Sequence, residues 1–225
     1  MDDRSPVNPL PPVVVALLIL VVGTEAVLSL ADRGIVGGRT GIGWRIAALQ
    51  DYAVFDGLIE RMAAQGAWRA EHLMRLLTYP FVHGSFTHAL FAVVLLAALG
   101  KMVGEVFSPL ALLAVWVVSS VAGALIWSMA IDTDAPLFGA YPAIYGLIGA
   151  FTFLLWARLA GLGARRLRAF TLIGVLLVFQ LVLGLIGGAG WDWIADVSGF
   201  AAGFLLSFLV SPGGWRATLD RLRDR

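Results

Sequence analysis

Long apolar runs alternate with short polar connections along this chain, and the runs set the first expectation. A helix needs about 20 mostly apolar residues to cross a hydrocarbon core of about 30 Å. Six stretches meet or approach that length, at residues 12–31, 85–103, 109–130, 139–158, 169–188 and 194–210. Pro109 opens the third run and Pro212 follows the last, each where a helix can start or has already stopped. Lipid offers no partner for a bare backbone amide, so the runs predict helices rather than open strands. The expected fold is an all-α polytopic membrane bundle of six transmembrane helices, with residues 1–225 forming one membrane domain.

The polar interval at 32–84 has a pattern of its own. From Gly43 to Gln65, the apolar positions Ile46, Leu49, Val54, Leu58, Ile59 and Met62 recur at near-helical spacing, with Asp51, Asp56, Glu60 and Arg61 between them. That predicts amphipathic helices lying at the membrane interface, with a solvated loop packed on the bundle as the plainer alternative. In the tail, 211–225, Trp215, Leu219 and Leu222 share one face among arginines, which predicts an interfacial anchor.

Composition agrees with the hydropathy pattern. Hydrophobic residues make up 60% and charged residues 14% of the chain, against about a quarter charged in soluble domains. The net charge of +1 hides an asymmetry. Arg4, Lys101, Arg158, Arg165, Arg166, Arg168 and the C-terminal arginines fall on alternate connections, while the opposite short connections carry Asp132, Asp134 and Asp192 without a basic residue. The positive-inside rule then places both termini in the cytoplasm, and in a bacterium the chain belongs in the inner membrane. The Ser29-Leu-Ala31 sequence after the first run resembles a cleavage site, but Asp2 and Asp3 make a poor signal start, so the first span is expected to be retained.

The absence of cysteine excludes disulfides, thiol catalysis and Cys-based zinc sites. His83, His88, Asp132 and Asp134 have no recognised ligand spacing, and no phosphate loop or nucleotide fingerprint is present. No metal, cofactor or nucleic-acid partner is expected.

Three short stretches carry the candidate chemistry: His83-Gly-Ser-Phe-Thr-His88, Gly139-Ala-Tyr-Pro-Ala-Ile-Tyr-Gly-Leu-Ile-Gly-Ala-Phe151, and Ala195-Asp-Val-Ser-Gly-Phe-Ala-Ala-Gly203. In order and spacing they resemble the signatures of the rhomboid intramembrane serine proteases, and the likeness extends over residues 75–210, including Arg75 and the segment through His88. In that family the middle stretch reads Gly-x-Ser-Gly with a serine nucleophile, the last carries a histidine base, and the first runs His, four residues, His, three residues, Asn. Here the corresponding positions are Tyr141, Asp196 and Ala92, while His83 and His88 match. The resemblance implies a large structured loop beside the core and a substrate-facing group of Gly139, Tyr141, His83, His88 and Asp196.

Gly199 and Gly203 lie one turn apart with Ser207 on the same face, and Gly146 with Ala150 offers a matching groove on the fourth span, with Gly149 as a further packing position. Small residues let membrane helices approach closely, so the fourth and sixth spans should pack tightly.

The replacements argue against the family's reaction. Serine attack needs an adjacent base and aimed oxyanion donors. Tyr141 offers a phenol with an ordinary pKa near 10, and Asp196 a carboxylate with an ordinary pKa near 4, a weak base toward a hydroxyl. Ala92 supplies no donor. A hydrogen bond from Tyr141 to Asp196 would turn a reactive pair into a structural one. The expected function is therefore a catalytically impaired rhomboid-like protein that binds membrane-spanning segments of client proteins within the bilayer. The alternatives are an active protease with an altered site, in which Ser198 serves as a displaced nucleophile, and, more weakly, a proton or solute transporter using Glu25 and Asp196. Gln180 and Glu25 are expected to find partners inside the bundle.

Overall fold

The computed structural model describes residues 9–66, 68–161, 166–178 and 190–212. Ten α-helices and two 3-10 turns are defined among them. They are α1 (Pro12–Asp32), α2 (Gly38–Gly41), α3 (Trp44–Tyr52), α4 (Leu58–Gln65), α5 (Ala70–Thr78), α6 (Phe86–Gly104), α7 (Pro109–Ala130), α8 (Tyr141–Gly161), α9 (helical residues 171–178) and α10 (Trp193–Val210). The 3-10 turns are Tyr79–Phe81 and Arg166–Phe170.

Among the described residues, five helices are long and apolar enough to span a bilayer: Pro12–Asp32, Phe86–Gly104, Pro109–Ala130, Tyr141–Leu159 and Trp193–Val210. Each corresponds to one of the expected runs. Of the run at 169–188, residues 171–178 are helical in α9, while 179–188, Gln180 included, lie outside the described residues. The same holds for Trp215, Leu219 and Leu222 of the tail.

Local chemistry sets the helix starts. Pro12 and Pro109 sit at the first positions of α1 and α7, where a missing N–H costs nothing. Ser85 and Ser108 cap α6 and α7, their hydroxyls accepting from the N–H groups of His88 and Ala111, each at 3.2 Å.

α8 is the central helix, packed against α6, α7 and α10, and α1 packs on α6. The tightest seam joins α8 and α10, and glycine makes it possible. A Cβ on Gly203 would meet the Gly146 backbone, one on Gly199 the Pro142 carbonyl, and one on Gly149 the Phe200 carbonyl. Gly149, expected as a packing position, thus lies in this seam with Gly146. α7 also reaches α10: a Cβ on Gly123 would come within 2.8 Å of the Ala195 carbonyl oxygen.

The interval at 32–84 folds into four short helices, with α3 and α4 covering the expected amphipathic segment and a break between them. At that break Val54 pairs with Leu137 through reciprocal backbone hydrogen bonds of 3.0 and 2.8 Å, the one bridge among the described residues, and this ties the loop to the connection before α8. Arg75 ties it a second time, donating to the carbonyls of Gln50 at 2.7 Å and Ala53 at 2.9 Å.

Candidate functional site

The end of the bundle that bears the loop is held by one arginine. Arg45 of α3 donates both terminal nitrogens to Glu25 of α1 at 2.8 and 2.9 Å, its Nε to Asp32 at 2.7 Å, and Nη1 also to the His83 carbonyl at 2.7 Å. Ser29 donates to the same Glu25 carboxylate at 2.5 Å. Glu25 thus has its cationic partner on α3 of the loop, where a partner inside the bundle was expected, and only Ser29 partners it from its own span. The paired carboxylates strengthen the hold of the guanidinium on its proton, raising the Arg45 pKa.

Behind the site, Tyr79 is fully buried and donates to the Ser120 carbonyl at 2.9 Å. Burial, reinforced by the negative charge of Asp196, holds its phenol well above the usual range. The Tyr79 carbonyl in turn accepts from the Gly139 N–H at 3.0 Å. Gly139 has φ +92°, and a Cβ there would come within 2.8 Å of the His88 ring, so both conformation and space require glycine.

His83 is fully buried, and its Nε2 accepts from the Ala140 N–H at 3.4 Å. Burial lowers its pKa to about 4, so the ring is neutral at pH 7, with its proton assigned to Nδ1 by that contact. The His88 ring lies 5.3 Å from His83, meets Phe138 edge-on at 5.7 Å, and stacks on Tyr141 with centroids 4.8 Å apart and planes 12° from parallel. The Tyr141 hydroxyl donates to the His88 backbone carbonyl at 3.3 Å.

These groups border a cavity of about 170 Å³ lined by His88, Leu137, Phe138, Tyr141, Pro142 and Asp196, with exposed Asp192 also on its wall. Asp192 and Asp196 are one turn apart on α10, where the Asp196 N–H bonds the Asp192 carbonyl at 3.1 Å. Asp192 is exposed on one side, and the partial loss of solvent on its other side raises its pKa above the usual carboxylate value. Asp196 is buried on the first turn of α10.

Tyr141, His88 and Asp196 therefore share one cavity, with His83 and Gly139 directly behind. Ala92 is buried in α6, one turn beyond His88. Gly146, Gly149, Gly199 and Gly203 lie in the helix seam below. The phenol bonds a carbonyl, so the hydroxyl arrangement differs from the expected Tyr141 to Asp196 pairing. Ser198 donates to the Ile194 carbonyl at 2.7 Å, the back-bond of a helical serine.

Sequence reasoning did not single out Phe138, Leu137, Tyr79 or Arg45. Phe138 and Leu137 were legible as neighbours of Gly139. A lone arginine at the start of an interfacial helix, set against a lone acid in a span, was the available signal for Arg45.

A helical membrane bundle with a histidine-lined cavity where three helices meet under a structured loop defines a recognisable class. The family model described as the Rhomboid domain matches residues 70–213, and the chain belongs to that family. It is an integral membrane protein. RHOMBOID-like protein 4 of Arabidopsis thaliana is 27% identical over 147 residues, covering 63% of this chain and 36% of the relative. RHOMBOID-like protein 7 of the same plant is 28% identical over 158 residues, covering 68% and 48%. YdcA of Bacillus subtilis (strain 168), whose name places it provisionally among rhomboid proteases, is 31% identical over 150 residues, covering 65% and 69%. The chain thus spans between about a third and a half of the length of the two plant relatives.

Proposed function

We propose that this chain is a catalytically impaired rhomboid that holds membrane-spanning segments of client proteins, with both termini on the cytoplasmic side. The observation that carries the reading is the stacking of Tyr141 on His88, 4.8 Å between centroids. The phenol ring fills the position that the family resemblance gives to a serine, and its hydroxyl is bonded to a backbone carbonyl rather than to a base. A nucleophile must lie within hydrogen-bonding reach of its base, and losing nucleophile and base together removes on the order of a millionfold in serine proteases. The cavity beside the stacked rings remains, with two carboxylates and three rings on its walls, and offers a polar niche to a helix arriving from the membrane. The polarity of the connections supports the orientation.

The test has two arms. Incubation with a permissive rhomboid substrate in detergent and in liposomes, beside a serine-directed fluorophosphonate probe, is expected to give no cleavage and no labelling. Photo-crosslinking from position 141 in membranes is expected to trap a membrane-spanning partner. Cleavage abolished by Ser198→Ala or Asp196→Asn would establish the altered-site protease instead, and a crosslinking survey that traps no spanning partner would refute client binding.

A further inference from the structure

A second basin lies outside that cavity, in the loop. It measures about 370 Å³, sits between α4 and α5, and is lined by Arg61, Arg69, His72 and Arg75 around Leu58 and Met62. We propose that it binds the phosphate of an anionic phospholipid drawn from the leaflet on the loop's side. The site is independent of the client-binding reading.

Its charge is the first argument. Arg75 is fixed by the Gln50 and Ala53 carbonyls and lies 5.7 Å over the Phe55 ring. Arg61 is fixed by the Asp56 carbonyl at 2.6 Å. Carbonyl hydrogen bonds orient a guanidinium without neutralising it, and among the described residues neither arginine is ion-paired to a carboxylate. Of the three guanidiniums only Arg69 meets an acid, Glu71, at 3.4 Å, with both side chains about two-thirds exposed, and His72 Nε2 lies 3.9 Å from the same carboxylate. Such a pair contributes little and yields readily to a better anion. The basin is therefore positively charged, and its guanidiniums present the forked donors that match a phosphate.

The second argument is the placement of α5. Leu73, Met74 and Leu77 are exposed on one side of the helix, and exposed Trp68 precedes it. Arg69, His72 and Arg75 recur at three-residue intervals on the other side. A helix that sinks an apolar face into the boundary of the acyl chains carries its basic face at the level of the phosphates, and tryptophan favours the same depth. The basin opens at that level. A free soluble anion would gain the charge of the site but not its depth, which favours the lipid.

Native mass spectrometry of the full chain in detergent tests the proposal, with phosphatidylglycerol, phosphatidylcholine and soluble glycerol phosphate as probes. The chain should retain phosphatidylglycerol in preference to phosphatidylcholine. The R61Q/R69Q variant should lose about tenfold or more in that affinity, since each basic residue at an anionic surface contributes comparably. R166Q/R168Q, which removes the basic cluster after α8, should not change the component lost in R61Q/R69Q. R61K/R69K, which keeps the charge but not the fork, should bind more weakly than the unaltered chain and more tightly than R61Q/R69Q. Unchanged phosphatidylglycerol binding in R61Q/R69Q, equal retention of phosphatidylcholine, displacement by glycerol phosphate at equal concentration, or R61K/R69K binding more weakly than R61Q/R69Q would each overturn the assignment.

Discussion

The ring of Tyr141 lies flat on the imidazole of His88, 4.8 Å between centroids, while its hydroxyl reaches back to the His88 carbonyl at 3.3 Å. One residue thus uses both its face and its polar end on a single neighbour, locking the start of α8 to the first turn of α6. If the stack is what matters, the hydroxyl is dispensable. Tyr141→Phe should cost about 1 kcal/mol or less, whereas Tyr141→Ser, which empties the space, should cost about 3 kcal/mol. Unfolding of the two variants in mild detergent checks the ordering; equal losses would show that the stack contributes nothing.

Buried His83 makes stability depend on pH. Its folded pKa of about 4 lies below the ordinary 6.5, so the unfolded chain binds the proton more readily between those values. The contribution is complete above about pH 6.5 and is lost as pH falls toward 4, on the order of 3 kcal/mol in all. Melting temperature followed from pH 7.5 to 4.5 should fall across that window, and His83→Gln should flatten the fall.

Arg45 and Glu25 form a pair with side chains 11% and 6% exposed. Removing one partner strands the other, so Arg45→Gln and Glu25→Gln should each cost about 3 to 5 kcal/mol. The double variant should cost less than the sum of the two. A double-mutant cycle measures this coupling, and strict additivity would mean that the residues act separately.

Gly203→Ala drives a methyl into the Gly146 backbone, which cannot step aside as a side chain does. Gly23→Ala in α1 meets nothing within 4 Å and should be neutral or slightly stabilising, since alanine favours helix. A loss of several kcal/mol at 203 against none at 23 is the expected contrast, read from thermal unfolding of the two variants.

Much of this was legible before the structure, for identifiable reasons. The span limits follow from apolar length alone, so α1, α6, α7, α8 and α10 lie within a few residues of the expected runs. The glycine seam was legible because Gly199 and Gly203 fall on one helical face and Gly146 and Gly149 lie on the facing span. α5 escaped notice: at nine residues it is too short for a span, and its apolar positions 73, 74 and 77 sit among three basic ones. The Arg45 clamp was hidden too. It joins residues 20 apart to Glu25 and 38 apart to His83, a meeting that no local periodicity records. The direction of the Tyr141 hydroxyl was equally invisible, since it depends on where a carbonyl of another helix happens to point.

The bare backbone contact between Gly146 and Gly203 has a mechanical corollary. Two rods pressed together with no side chain between them lose that whole contact when they part, so α8 and α10 are expected to move together. On the proposed function, an opening for a foreign helix is then expected along a different edge of the bundle.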